Sequence, residues 1–146
     1  MNSMDEIEPG LYMGGEITRK PPGIQAIVDL QSEQDQVLSP EGLNALLWLP
    51  LYDHCDDAPD PIWLDSVVNT IKSWRSMNWR VLIHCRAGIS RSGMVTIAYI
   101  MNTRNLGWYD ALAIVRAGRP CCDPNPGFMH SLSRYATYLQ QGDEDA

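Results

Sequence analysis

Apolar residues in this chain gather in two kinds of stretch, short continuous runs and longer segments of helical period. Ile24 to Leu30, Leu46 to Leu51 and Arg80 to His84 are runs of strand length, bounded by polar, Gly or Pro residues, and each predicts a buried strand. Ile7 to Met13 predicts two shorter strands broken at Pro9-Gly10. Leu64, Val67, Val68, Ile71 and Trp74 recur at helical spacing. That helix should start with Asp60 as N-cap and Pro61 in its first turn, and end near Met77-Asn78. Met94 to Met101 is apolar and free of Pro and Gly, and predicts a buried helix. Tyr109 to Ala117 is the next helix, set off by Gly107, and Phe128 to Leu139 the last. Residues 31–42 read as a polar loop with one helical turn at most.

Strand, loop and helix alternate, so the expected class is α/β: a single domain with a twisted, mostly parallel central sheet of four or five strands flanked by helices. The 46–51 strand is expected beside the 80–84 strand. A chain of 146 residues with 45% hydrophobic residues suits one core, here 7–139, with residues 1–6 expected to be disordered and 140–146 an acidic tail. There is no apolar run of membrane-spanning length, and the acidic start lacks the apolar segment of a secretory signal. The net charge of −7 argues against nucleic acid or anionic lipid as a general partner, though not against a local basic pocket.

The candidate chemistry lies between the 80–84 strand and the helix that follows. His84-Cys85-Arg86-Ala87-Gly88-Ile89-Ser90-Arg91-Ser92 places a thiol at the start of a loop and a guanidinium at its end. Gly88 permits a tight bend. A loop entering a helix N-terminus turns its N–H groups toward one point and favours an anion there. The backbone of Arg86, Ala87, Gly88, Ile89, Ser90 and Arg91 is thus the candidate cradle for a phosphate or sulfate, with the Arg91 fork gripping two oxygens. The same field favours the thiolate of Cys85, aimed at phosphorus. Ser92 stands where its hydroxyl can ease departure of that thiolate, and His84 where its ring orients the loop. A core cysteine in a simple strand-to-helix turn is the bland alternative.

Displacing an oxygen from phosphorus also needs a proton donor. Asp53, Asp56, Asp57 and Asp60 crowd the loop after the 46–51 strand. Asp60 is better explained as a helix cap, and Asp53 follows the strand directly. Both this loop and the Cys85 loop leave the carboxyl ends of strands, where open α/β sheets bind ligands.

The motif His84-Cys85-x-x-Gly88-x-x-Arg91-Ser92 resembles the signature of the cysteine-dependent protein tyrosine phosphatase superfamily, and its loop is most similar to that of the small, atypical dual-specificity phosphatases. Ile7-x-Pro9-Gly10-Leu11-Tyr12-x-Gly14 and Arg119-Pro120-x-x-x-Pro124-Asn125-x-Gly127-Phe128 resemble the opening and the late loop of the same family. The resemblance implies a hydrolase that removes phosphate from phosphotyrosine and phosphoserine/threonine in proteins through a phosphocysteine intermediate. It gives the acid's role to Asp53 and a supporting role behind the phosphate loop to Asn125, for which helix capping is an equal reading. It implies no metal and no organic cofactor, and a phosphorylated protein as partner. A metal site drawn from His54, Cys55, Cys121 and Cys122 would rest on an adjacent cysteine pair of poor ligand geometry. A thiolate nucleophile needs a reducing compartment, so the cytoplasm is expected. Phosphoinositide and RNA 5′-phosphate hydrolysis, or phosphate binding without turnover, are the rival readings.

Overall fold

The structure, a computed structural model, describes residues 3–32, 34–35 and 37–145. The elements are β1 (Met4–Glu8), β2 (Leu11–Gly14), β3 (Ala26–Asp29), β4 (Ala45–Trp48), α1 (Pro61–Ser76), β5 (Val81–His84), α2 (Arg91–Arg104), α3 (Trp108–Gly118) and α4 (Pro126–Asp145). They form one α/β domain with a five-stranded sheet in the order β1-β2-β5-β3-β4. Every pairing is parallel except β1 with β2, which Pro9-Gly10 joins as an antiparallel ribbon with Gly10 at φ 85°.

The central strand is β5. Val81 and Ile83 turn to one face with Leu11, Met13, Ala26 and Val28, and all four helices pack there in one core. Leu82 and Ile27 turn to the other face, which Ile24 and Leu38 close together with the half-buried Tyr12, Ile17, Leu43 and Leu46. No helix among the described residues covers that second face. Strand side chains alternate between faces, so the near-continuous apolar runs of β3 and β5 are what a doubly buried strand requires.

α1 forms as its pattern predicts. The Asp60 carboxylate accepts the Trp63 N–H at 2.9 Å, Pro61 opens the helix, and Leu64, Val67, Val68, Ile71 and Trp74 are buried. α2 is buried from Arg91 to Met101 and ends on Asn105 in the left-handed region at φ 54°. No helix of the described residues is long and apolar enough to cross a membrane.

Four expectations are corrected. The 46–51 strand, seen as β4, is an edge strand that pairs with β3 and does not touch β5. β3 fills the place beside β5 because its apolar residues suit both faces, whereas β4 is only half-buried. Trp48, within the run expected to be a buried strand, is accordingly 50% exposed. Residues 4–6 of the expected disordered segment are the strand β1, whose ladder to β2 overrides their acidic composition; residues 1 and 2 lie outside the described part. The expected acidic tail continues α4 to Asp145, since the residues that follow Leu139 contain no Pro to stop a helix; residue 146 lies outside the described part.

Candidate active site

Because β3, β4 and β5 run parallel, the segments after their carboxyl ends share one edge of the sheet. Residues 31–44 follow β3, the segment with Asp53 follows β4, and residues 85–90 follow β5. The last of these is a cradle held from outside. Glu16 N–H donates to the Arg86 carbonyl at 2.8 Å and Asp123 N–H to the Ile89 carbonyl at 2.9 Å. Arg119 Nε donates to the Gly88 carbonyl at 2.8 Å. In a planar trans peptide the following N–H points opposite to the carbonyl. Tying these three carbonyls outward therefore turns the N–H groups of Ala87, Ile89 and Ser90 inward. Among the described residues, none accepts a bond from any backbone N–H of residues 86–91.

Gly88 makes this path possible. Its φ is +69°, and a Cβ built there would lie 2.6 Å from the Gly14 and Gly15 backbone and 2.5 Å from Arg119. Any other residue would strain the chain and push the loop off β2.

Cys85 is 2% exposed at the mouth of α2. Its thiol donates to Ser92 Oγ at 3.3 Å, and that hydroxyl donates on to the Gly14 carbonyl at 3.4 Å. The Ser92 N–H donates to the sulfur at 3.4 Å. Beneath them His84 is fully buried, with Nδ1 3.3 Å from the Gly15 carbonyl and Nε2 3.2 Å from an Asp29 oxygen. The imidazole thus joins the loop's root to the end of β2, while its Nε2 lies near Asp29 of β3 without a hydrogen-bond partner among the described residues.

Arg91 is anchored through one nitrogen. Its Nη1 donates to the Leu51 carbonyl at 2.8 Å, to Asp35 at 3.2 Å and to the Leu30 carbonyl at 3.3 Å. No described residue accepts from Nε or Nη2, the edge that can grip two oxygens of one anion. Arg86, by contrast, is a surface side chain, 3.9 Å from Asp35, so the loop uses its backbone alone.

Asp53 is exposed, and one oxygen accepts Asn125 Nδ2 at 2.9 Å. Asn125 Oδ1 accepts the Phe128 N–H at 2.9 Å, which caps α4, and the Asn125 backbone N–H donates to Ser90 Oγ at 2.9 Å. Asn125 therefore caps α4 and bonds both Ser90 and Asp53. Asp53, Ile89, Ser90, Asn125 and Met129 line one open cleft. The other three acidic candidates are engaged elsewhere or face solvent. Asp57 accepts the Tyr52 N–H at 2.8 Å, Asp60 caps α1, and Asp56 is paired loosely with His54 at 3.7 Å.

Two residues near the site, Asp29 and Asp35, were not singled out from the sequence, and Arg119 was named there only as part of the late-loop motif. Asp29 lies under His84, and Arg119, 2% exposed, bridges Gly88 to Asp5, 2.8 Å away. Asp35 holds Arg91 from the loop after β3, bonded also to the Ser32 N–H at 2.8 Å. Burial alone would raise the Asp35 carboxyl, but the Ser32 N–H and the Arg91 guanidinium outweigh it and hold it below the usual carboxylate range. The available signal was topological: an acid just after a parallel strand, as for Asp53.

All four cysteines are free. Burial pushes the Cys122 thiol up to about 12, so it packs as an apolar group against Gly93 of α2. Among the described residues, no group of three or more His, Cys, Asp or Glu is placed to hold a metal ion.

A thiol at the start of the loop after β5, an arginine at its end and, between them, backbone N–H groups with no acceptor among the described residues, on a mostly parallel sheet, are the parts of a cysteine-dependent phosphatase site. Residues 12–138 match the family described as dual specificity phosphatase, catalytic domain, and the chain belongs to that family. It is 37% identical over 141 residues to the rat protein named dual specificity protein phosphatase 15, covering 92% of this chain and 58% of that one. It is 33% identical over 142 residues to human dual specificity protein phosphatase 22, covering 92% and 74%. Its fold superimposes on that of the human tyrosine phosphatase-like serine/threonine/tyrosine-interacting protein with a TM-score of 0.84 at 32% identity, covering 93% of this chain and 97% of that one. The chain therefore spans a little over half the length of the rat relative.

Proposed function

We propose that this protein is a cysteine-dependent phosphatase that hydrolyses phosphotyrosine and phosphoserine/threonine in proteins through a phosphocysteine intermediate. The observation that supports the reading is the outward-tied loop of residues 86–91 directly after Cys85, whose backbone N–H groups, like the Arg91 Nε–Nη2 edge, have no acceptor among the described residues. Such preformed donors stabilise the charge of a transferring phosphoryl group without reorganising as it moves.

In the first step Cys85 Sγ, as the thiolate, attacks phosphorus, the P–O bond to the substrate breaks, and Asp53 gives its proton to the departing oxygen. In the second step a water attacks the phosphocysteine, Asp53 takes its proton, and the P–S bond breaks to return the thiolate and release phosphate. The Ser92 hydroxyl, 3.3 Å from the sulfur, turns its hydrogen to the thiolate and lowers its energy as leaving group. Asn125 keeps Asp53 over the loop.

The cleft lined by Ser90 and Asp53 is open, which favours a broad substrate range. The charge of −7 speaks against RNA as substrate, and the presence of Ile89 rather than a second basic residue beside Arg86 speaks against a multiply phosphorylated inositol. We place the protein in a reducing compartment, the cytoplasm, on the chemistry of its thiolate. The test is a turnover panel of phosphotyrosine, phosphoserine and phosphothreonine peptides, phosphoinositides and 5′-triphosphorylated RNA. Comparable kcat/KM on the three peptides and little on the others is expected; a clear preference for lipid or RNA would overturn the substrate assignment.

A further inference from the structure

One of the three ties that turn the phosphate loop outward leads back to the edge of the sheet. Arg119 Nε donates to the Gly88 carbonyl at 2.8 Å, and Nη1 of the same side chain donates to Asp5 Oδ2 at 2.8 Å. Arg119 is 2% exposed, so its charge has to be met inside the fold, and Asp5 of β1 meets it. Gly118 lets the two come together: a Cβ built there would lie 3.0 Å from the Glu6 carbonyl, so the end of α3 lies against β1 with little room for a side chain. β1 is itself fixed by its ladder to β2, with Asp5 opposite Met13. The other two ties, from Glu16 and Asp123, are made by backbone N–H groups. This one hangs on a long side chain, and it falls on the peptide that most needs holding. Gly88 has no Cβ, so rotation of the Gly88–Ile89 peptide meets little steric resistance. Such a rotation would carry the Ile89 N–H away from the anion. The Cys121 thiol also reaches the Gly88 carbonyl, but at 3.8 Å.

We infer that Asp5 is a positioning residue of the phosphate site: by holding Arg119 it keeps the Gly88–Ile89 peptide turned with its N–H toward the bound anion. The inference rests on the anion cradle proposed above. Two bonds lead from the edge strand to the loop, Asp5 to Arg119 and Arg119 to Gly88. The first pins a flexible side chain in one geometry, which the planar guanidinium makes possible because its donors point in fixed directions. The second holds the Gly88 carbonyl and polarises the peptide whose N–H meets the anion. Asp5 acts only through Arg119. Its own negative charge, by field alone, weakens the binding of an anion. Geometry and field therefore predict opposite signs for its removal.

The experiment measures the Kd of inorganic phosphate by titrating the ¹⁵N-labelled full chain, wild type and variants. Asp5→Ala should weaken phosphate by about tenfold, the size of one hydrogen bond to a charged group. Asp5→Asn keeps an acceptor oxygen for Arg119 and should show a smaller loss of the same sign, about threefold; it gives the sign even where Asp5→Ala does not fold. Arg119→Lys cannot reach Gly88 and Asp5 with one fork, so it should match Asp5→Ala, and combining the two should add little. Glu8→Ala is the control. Glu8 lies on the same strand, its side chain is 22% exposed against 23% for Asp5, and it pairs with Arg104 at the far end of α2 at 3.1 Å. Its loss should lower Tm and leave the phosphate Kd unchanged, and only the Asp5 variants should shift the Ile89 amide. Phosphate binding that is unchanged or tighter in the Asp5 variants, or weakened equally in Glu8→Ala, overturns the positioning role alone. A wild-type chain that binds no phosphate overturns it together with the phosphatase reading.

Discussion

The loop after β5 and the loop after β4 bring the two halves of the proposed chemistry together, and they are built in opposite ways. The Cys85 loop is nearly all buried at its root and tied by Glu16, Arg119, Asp123 and Asn125. A glycine at φ +69° then leaves it a single path. The Asp53 loop is exposed from Tyr52 to Asp57, and its key carboxylate is held by one side-chain bond, to Asn125. An anion cradle works only if several N–H dipoles already converge before the anion arrives, which demands outside ties. A proton donor need only reach one oxygen at one moment, and a single tether does that.

The comparison predicts that damage to the first loop is felt by every substrate, and damage to the second only by substrates with poor leaving groups. Cys85→Ser is the extreme case. Turnover should fall to background for all phosphoesters, with the fold and phosphate binding kept, because a serine hydroxyl has no accessible anion near neutral pH. Single-turnover assays and phosphate titration of the variant check this; residual turnover on any substrate would break the contrast.

Asp53→Asn comes next and should divide substrates. Phosphoserine and phenyl phosphate should slow by roughly 10²–10⁴-fold, the usual worth of a general acid, and para-nitrophenyl phosphate far less. The fall in kcat at high pH should flatten as well. Asp56→Asn should do neither, and a variant of Asp56 or Asp57 that mimicked Asp53→Asn would move the acid's role. Arg91→Lys should slow all substrates alike by about 10²–10³-fold, since lysine keeps the charge and loses the Nε–Nη2 fork. Leaving-group dependence in this variant would mean that the two loops are not separable.

Asp35→Asn should have the smallest effect, because it acts on Arg91 from behind. Loss of one partly buried ion pair, worth about 1 kcal/mol, should weaken phosphate binding by about fivefold. The pH dependence of stability tests the same contact. A carboxyl held low in the folded chain adds stability that is complete above its unfolded value of about 3.9 and disappears as pH falls through the lowered folded value. The Tm gap between wild type and Asp35→Asn should therefore close as pH drops from about 5 to about 2. A gap that stays constant would mean that Asp35 is not ionised against Arg91.

The motif from His84 to Ser92 was legible because all its chemistry sits on one strand-to-helix turn, where spacing alone sets direction. α1 was legible for the same local reason: its cap, its first-turn proline and its apolar stripe all lie within the helix itself. Asp53 stood out as the first acid after a strand, but its tether, Asn125, lies 72 residues away and no local pattern links the two. What the chain by itself determined was the α/β class and the strand-to-helix turn that carries His84 to Ser92, since each follows from short-range periodicity or from neighbouring residues. The order of the strands, the clustering of all four helices on one face, and the placing of Asp29, Asp35 and Arg119 behind the loop were decided only in three dimensions. β3 and β4 are both apolar runs, and only the packing of both faces gives β3 the seat beside β5. A buried carboxylate or guanidinium carries no mark in sequence of which distant charge or carbonyl will meet it, because its partner is chosen by the folding of the sheet and not by spacing along the chain.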